Sequence, residues 1–351
     1  MRRRYKYSIV LLLGITVFIA FLSPITGIIA LIIEAVMALC ILAFLLLNRA
    51  LKQTNWYKNI FIYTKQMCSN LGYRKYLIRN LEVVNLGSNP ARFAFHYDGI
   101  LGENWSTGNQ GLDMDFEILK FRHSFIKEGG FVLVPLVAFS SISGYLINKP
   151  QYTGIKYYAK FASTLDPGQV RSIPMLNRAL RFINYPLLDE PKAIRYILFD
   201  ELPDNRLTIS NMELMYPQLI EDARKTVEYW LSEFNMKSLD EPLRKELIDG
   251  MEISVMNLRN MIDFLVERNL QPVLVLTPMS EPLQDYFTDS VKKNLIYDFL
   301  DKVERPNIKF LDYSNNKELQ NPDLYFNSLY MNLVGRKKFT KQVLRDIGLE
   351  M

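Results

Sequence analysis

The apolar residues follow two different patterns, and the change between them divides the chain into two parts. Residues 7–48 are almost continuously apolar, with Glu34 as their only charged residue. As one helix, this stretch would reach about 63 Å, roughly twice the hydrocarbon thickness of a bilayer. Ser23–Gly27 contains a proline and a glycine, which favour turns. The pattern therefore predicts a transmembrane hairpin with spans at Ser8–Leu22 and Ile28–Leu47.

Beyond residue 80, short apolar strands alternate with amphipathic helices. The predicted strands are Leu81–Leu86, Phe131–Val137, Pro272–Leu276 and Ile308–Asp312. The predicted helices are Leu112–Lys127, Gln218–Phe234, Met251–Glu267 and Val334–Ile347. This order is typical of an α/β protein, with an open parallel sheet covered by helices on both faces.

The pattern also suggests boundaries between parts of the chain. We expect a transmembrane hairpin over residues 1–50 and an α/β domain over 81–350. Between them, residues 51–80 are aromatic and basic, which favours an interfacial or linker helix. Residues from about 145 to 245 contain no clear strand and predict a helical insertion. We expect this insertion over the strand ends, where open α/β sheets bind ligands.

The distribution of charge predicts the orientation in the membrane. The formal net charge is +5, and residues 1–60 account for +6 through seven basic residues and Glu34, so the remainder sums to −1. Basic residues lie before the first predicted span and after the second, which places both ends in the cytoplasm by the positive-inside rule. One alternative is the opposite orientation, which would require the basic flank to be translocated. Another is a cleaved signal peptide, but no small-x-small motif follows Leu22. The predicted location is the cell membrane, with the lipid bilayer as first partner.

Composition narrows the chemistry. Two cysteines and two histidines among 351 residues do not supply a disulfide framework or the usual ligands of a zinc site. No P-loop, Rossmann glycine motif or His-Glu-x-x-His is present, so we predict no metal and no cofactor. The excess positive charge belongs to the membrane end, and nucleic acid is therefore not an expected partner.

Three stretches together resemble the SGNH hydrolases, in the variant found in bacterial surface-polysaccharide gene clusters. They are Val83–Pro90, Asn104–Gln110 and Asn327–Gly335. In the family, the first holds the Gly-Asp-Ser nucleophile turn, the second a glycine N–H that binds the oxyanion, and the third Asp-x-x-His. The resemblance implies an SGNH or flavodoxin-like sandwich. It also implies a ligand site at Gly87, Ser88, Asn89, Gly108, Asn109 and Asn332.

The departures from the family are informative. The resemblance places Asn89 at the nucleophilic serine, Asn327 at the acid and Tyr330 at the base. An amide cannot act as the nucleophile, and a phenol with a pKa near 10 is a poor base at neutral pH. Ordinary hydrolase chemistry is therefore not expected. Amide and phenol groups predict a neutral site that binds glycans with little salt dependence.

A displaced catalytic pair is the alternative. Ser88 lies beside the nucleophile position, and His96 could act as its base if Asp98 or Asp312 oriented the imidazole. The favoured interpretation is that Ser88 and Asn89 cap the helix after the strand and that His96 is a packed or surface histidine.

These observations lead to three functional hypotheses. The first is a membrane-anchored, non-hydrolytic SGNH-like pseudoenzyme. It would have an accessory or glycan-binding role in bacterial surface-polysaccharide biosynthesis, with glycan or polysaccharide-assembly proteins as partners. The second is an active carbohydrate esterase or O-acyltransferase that uses a displaced serine. The third is a structural membrane partner with a vestigial pocket.

Overall fold

A computed structural model describes residues 24–57, 79–106, 110–147, 186–189, 191–199 and 214–349. They belong to two compact units. The first unit comprises residues 1–61 and 185–203, and the second comprises 62–184 and 204–351.

The second unit is built on a five-stranded sheet in which all neighbouring strands are parallel. The strands are β1 (Leu81–Asn85), β2 (Gly102–Asn104), β3 (Ile126–Leu136), β4 (Gln271–Leu276) and β5 (Lys309–Asp312). Their order across the sheet is β2-β1-β3-β4-β5. The predicted parallel α/β sheet is confirmed. β2 was not predicted, because its Gly-Glu-Asn sequence lacks an apolar pattern and it forms only by pairing with β1.

Five helices of ten or more residues are described. They are α1 (Pro24–Leu51), α2 (Leu112–Arg122), α3 (Tyr216–Glu233), α4 (Lys245–Val266) and α5 (Leu333–Asp346). Shorter helical turns, including one π-helical turn, cover Asn89–Arg92, His123–Phe125, Gly144–Ile147, Pro186–Asp189, Pro191–Ile194, Arg195–Leu198, Glu281–Gln284, Asp289–Lys292, Lys293–Tyr297, Asp298–Val303 and Pro322–Leu324. The four predicted helices of the α/β part coincide with α2, α3, α4 and α5.

The boundary between α2 and β3 differs from the prediction. α2 ends at Arg122 rather than Lys127, and β3 already begins at Ile126. Leu81 pairs with Ile126 and Val83 with Phe131, so five residue steps on β3 oppose two on β1. The extra residues include Gly129, whose φ of +70° favours glycine. The helical pattern of apolar residues therefore extends beyond the end of α2, into the irregular first part of β3.

Alternate strand residues fill two separate cores, one on each face of the sheet. Val83, Leu133, Val273 and Val275 pack with Phe339 and Val343 of α5. Val84, Val132, Val134, Leu274 and Leu276 pack with residues of α2, α3 and α4. Successive side chains of a strand point to opposite faces, which is why both layers are apolar. Helices cover both faces, as predicted.

In the first unit, α1 is long and apolar enough to cross a bilayer. Within Ile28–Leu51, an 18-residue window has a mean hydropathy of 2.9 and contains no buried residue, whereas Asn48 and Leu51 at the end of the helix are buried. This segment includes the second predicted span. The predicted turn at Ser23–Gly27 is wrong for Pro24–Gly27, which form the first turn of α1. Proline is tolerated there because the first helical N–H groups have no partner within the helix. The first predicted span lies outside the described residues.

The end of α1 packs with residues from the predicted insertion. The Leu187 N–H donates to Asn48 Oδ1 at 3.1 Å. The rings of Trp56 and Tyr196 stack with centroids 5.3 Å apart. Most of the predicted interfacial helix, residues 58–78, lies outside the described residues. The predicted insertion is not one body, because residues 186–199 join this unit whereas α3 belongs to the second.

A substitution at Gly87, two residues after the end of β1, tests how much the backbone turn there contributes to stability. Its φ is +103°, and a Cβ there would lie 2.8 Å from Ala91 Cβ. We expect Gly87→Ala to lower the free energy of unfolding by roughly 2–4 kcal/mol, from backbone strain plus the clash. Gly99→Ala is the control, since Gly99 has a φ of +77° but open space around it. Equal losses in chemical denaturation would show that the Ala91 contact is unimportant.

Candidate functional site

A cavity of about 380 Å³ lies at the C-terminal ends of β1 and β3. Gly87–Ala91 form one wall, the start of α2 a second, and the end of α3 a third. The other described lining residues come from β3 and the segment after it, and from the turn before α5: Pro135, Val137, Phe139, Ser140, Ser143, Leu146, Leu329 and Tyr330. This is the sheet edge at which parallel α/β proteins bind ligands.

The most informative group in the cavity is the carboxyl of Asp115, in the first turn of α2. It is buried, and it accepts hydrogen bonds at Oδ1 from the Gly87 N–H, at 2.8 Å, and from Gln110 Nε2. Both of these bonds fall on the same oxygen. Oδ2 therefore has no hydrogen-bond partner among the described residues and is available to a ligand.

Burial raises the pKa of Asp115 from 3.8 to about 7. The hydrogen bonds from Gln110 and Gly87 oppose this shift, and the charge of Asp113 reinforces it. Removing an ionised carboxylate from water is costly, so its protonated form becomes the more favourable one. Asp115 therefore exchanges its proton near neutral pH, which suits an acid or base and also a charge-sensing ligand contact.

A second carboxyl, that of Glu233, lines the cavity from the last turn of α3. Burial raises its pKa above the ordinary value, and Tyr229 Oη donates to it at 3.4 Å. The pKa of Tyr229 is raised as well, by burial and then by the charge of Glu233. The sequence predicted a neutral site formed by amide and phenol groups. The cavity also contains two carboxyl groups, so its predicted neutrality does not hold.

Aromatic rings form much of the remaining wall. Trp230 and Phe139 have centroids 5.1 Å apart, and Phe139 stacks on Phe234 at 5.0 Å. The Tyr330 ring lies 4.8 Å from that of Phe93. Rings packed against one another hold fixed orientations, so the cavity presents preformed apolar faces.

A hydrogen-bonded contact anchors α3 beside the turn that precedes α5. Asp222 Oδ2 accepts from the Ser328 N–H at 2.9 Å and from its Oγ at 2.5 Å. Ser328 is fully buried, and its carbonyl accepts from Ser280 Oγ. Because Tyr229, Trp230 and Glu233 lie two to three turns further along α3, this anchor helps to position them at the cavity.

The structure brings four of the predicted site residues together at the cavity: Gly87, Ser88, Asn89 and Tyr330. Asn327 does not line it. Its Oδ1 accepts from the backbone N–H groups of Leu329 and Tyr330, so its side chain stabilises the turn. Asn332 is the N-cap of α5, where its Oδ1 accepts from the Gly335 N–H. Gly108 and Asn109 lie outside the described residues.

The proposed Ser88 and His96 pair is not assembled at the cavity. Ser88 lines it, whereas His96 does not. Burial and the charges of Arg336 and Lys337 lower the pKa of the His96 imidazole, and the backbone N–H of His96 donates to Thr340 Oγ1. Of the two suggested orienting acids, Asp98 is near enough to His96 for its charge to oppose this shift and also pairs with Lys337, whereas Asp312 accepts from Tyr297 Oη.

Sequence reasoning did not identify Asp115, Tyr229, Trp230 or Glu233 as site residues. A signal for Asp115 was present, because Leu112, Asp115 and Leu119 lie on one face of α2 by their spacing of three and four residues. An acid on an apolar stripe is unusual and points to a buried functional or structural role. For the α3 residues no comparable signal exists, because their contribution depends on where the helix packs.

No protein-family model matches the chain, and no curated protein matches it. The resemblance to SGNH hydrolases therefore rests on the three motifs alone and stays a prediction. Among the described residues, no group of three or more His, Cys, Asp or Glu side chains is placed to hold a metal ion.

The titration of Asp115 predicts a specific pH dependence of stability. Its pKa is higher in the folded protein than in the unfolded chain, so its contribution is fully present near pH 4 and is lost as the pH rises through about 7. We expect Asp115→Asn to match the wild type near pH 4. At pH 8 it should be more stable by up to about 4 kcal/mol. Urea unfolding at both pH values measures the difference.

The matched control for this experiment is Asp285→Asn, since Asp285 is exposed. Its stability relative to the wild type should not change between the two pH values. A variant–wild-type difference for Asp115→Asn that is constant with pH would contradict the buried, proton-binding carboxyl.

Proposed function

We propose that this chain is a membrane-associated protein whose cavity binds a carbohydrate without hydrolysing it. The single observation that carries the proposal is the combination of aromatic faces and polar groups in one cavity at the C-terminal edge of a parallel sheet. We place its role in bacterial surface-polysaccharide assembly. That assignment is supported by the resemblance of the three motifs to SGNH proteins of such gene clusters.

The lining groups match the chemistry of a sugar ring. A pyranose has apolar C–H faces, which pack against rings such as those of Tyr229, Trp230 and Tyr330. Its hydroxyl groups both donate and accept hydrogen bonds. Carboxyl oxygens accept them, and the serine and amide side chains of the lining can do both. A cavity of about 380 Å³ lies within the usual range for small-ligand sites.

The absence of an SGNH-type triad supports binding rather than hydrolysis. Asn89 and Tyr330 line the cavity, and no histidine is among the described residues that do so. Serine attack on an ester needs a base that takes the hydroxyl proton near neutral pH. Neither an asparagine nor a phenol provides one in this setting.

A second candidate function is acyl transfer by Ser88, and one observation favours it. Ser88 occupies the N-cap position of Asn89–Arg92, but its side chain makes no capping bond. It shares the cavity with Asp115, whose pKa of about 7 suits a general base. This version of the displaced-serine hypothesis replaces His96 with Asp115.

The membrane part of the proposal rests on α1. Over Ile28–Leu51 this helix extends about 36 Å, enough to span the hydrocarbon core. Arg49, in its last turn, and Lys52 just beyond it support a cytoplasmic position for this end. The α/β unit follows in the chain, so we place it in the cytoplasm.

Ligand binding is predicted to depend on the aromatic wall. Tyr229→Ala should weaken the binding of a surface-glycan fragment about tenfold, which corresponds to about 1.4 kcal/mol. Tyr216→Ala is the control, because Tyr216 is exposed in the first turn of the same helix and does not line the cavity. Glycan-array screening followed by calorimetry measures the effect. Equal affinities for both variants would count against the site.

The two candidate functions differ in covalent chemistry. We expect the purified full chain to remain unlabelled by a fluorophosphonate and not to hydrolyse activated acyl esters. Labelling that disappears in Ser88→Ala but persists in Ser140→Ala would replace the binding function with acyl transfer. Both serines line the cavity, so the second variant controls for general changes there.

Topology is tested by a reporter fused after Met351. A reporter that functions only in the cytoplasm should be active, and one that functions only outside should be silent. The opposite result would show that the α/β unit is exported.

A further inference from the structure

We propose that the cavity ligand carries an ammonium group, as an amino sugar with a free amine does, and that Asp115 and Glu233 bind this group. The inference deepens the carbohydrate-binding function and rests on it. In this inference the two carboxyls recognise the positive charge of the ligand, in addition to forming the hydrogen bonds that any sugar would need.

The first argument is the charge of the cavity. Its described lining contains two acidic side chains, Asp115 and Glu233, and no Lys, Arg or His. Neither acid forms an ion pair with a described residue. By contrast, two other acids of α3, Glu221 and Glu228, are both paired with Arg224. Uncompensated acids in a partly enclosed space create a negative potential that favours a cation.

The second argument is the geometry of Asp115. Its Oδ1 is held by the Gly87 N–H and Gln110, which fix the carboxyl plane, and its Oδ2 has no described partner. Buried polar atoms normally have hydrogen-bond partners, so an open carboxylate oxygen at a cavity wall is suited to a ligand donor. An ammonium offers three N–H donors and a charge, which makes it a stronger partner than a hydroxyl.

The third argument is the aromatic surround. Tyr229, Trp230 and Tyr330 line the same cavity as the two acids. The negative face of an aromatic ring attracts a cation within about 6 Å, most strongly for tryptophan. Rings and carboxyls together thus accommodate a cationic group, while the same rings pack against the sugar that carries it.

The charge state of Asp115 makes this recognition dependent on pH. The neighbouring titratable groups are Asp113 on its own helix, whose charge acts on Asp115, and Tyr229, Glu233 and Tyr330, which line the same cavity. Burial raises the pKa of Asp115 to about 7 in the free protein, and an ammonium binds the ionised form. Affinity should therefore increase as the pH rises through 7, until the amine loses its own proton. At pH 6 it should be roughly tenfold below the maximum.

The experiment measures binding of four probes to the full-length chain in detergent micelles, by calorimetry at pH 7.5 and pH 6. The probes are glucosamine, N-acetylglucosamine, glucose and cyclohexylamine. We expect glucosamine to bind at least tenfold more tightly than the two neutral sugars. We also expect added salt and the lower pH to weaken it selectively, because both act on the charge pair.

Variants identify the groups responsible. Asp115→Asn and Glu233→Gln should each reduce the preference for glucosamine over glucose at least fivefold, while Asp285→Asn should leave it unchanged. Glu233 is only partly buried, so Glu233→Gln tests the inference even if Asp115→Asn fails to fold.

The outcomes separate the inference from the function on which it rests. Equal binding of glucosamine, N-acetylglucosamine and glucose would overturn the ammonium site and leave carbohydrate binding in place. Cyclohexylamine binding as tightly as glucosamine, with no binding of any neutral sugar, would overturn carbohydrate binding and support the ammonium contact alone. No binding of any probe, or an unchanged preference in both cavity variants, would overturn the inference.

Discussion

The arrangement of the α/β unit depends on the parallel pairing of β3 with β1 on one side and β4 on the other. Parallel strands require crossovers that place helices on the sheet faces, and so both faces of each strand become apolar. The same geometry places the carboxyl ends of β1 and β3 at one edge. Polar groups excluded from the two cores can lie there, and the cavity forms at that edge.

Asp115 connects this framework to the chemistry of the cavity. Its carboxyl binds the N–H of Gly87, so one buried group stabilises the turn after β1 and faces the ligand space. The two roles use different oxygens. A structural carboxylate would be expected to have all its lone pairs satisfied, and the open Oδ2 is therefore the observation on which the proposed ligand contact rests.

The two units of the chain have different physical requirements. α1 exposes apolar residues along most of its length, which is stable only where hydrocarbon or another protein covers them. The α/β unit encloses its apolar residues in two cores and has its own ligand space. Under the proposed function, α1 attaches the chain to the bilayer and the α/β unit supplies the binding site. This arrangement is consistent with the proposed function and with an accessory role.

The sequence by itself determined the elements and the class of fold. Apolar runs such as Pro272–Leu276 and the stripe of α4 follow from local periodicity, and a buried parallel sheet is their natural arrangement. It did not determine β2, the irregular start of β3 or the helical course of Pro24–Gly27, because each depends on neighbouring strands or on where a helix begins. For the site, the turn at Gly87–Asn89 and Tyr330 were visible as motifs. Only the tertiary structure brings these residues together with Asp115 and Glu233 in one cavity. The anchor between Asp222 and Ser328, for example, links residues 106 positions apart in the sequence. Burial, which sets the pKa of Asp115, likewise exists only once the chain has folded.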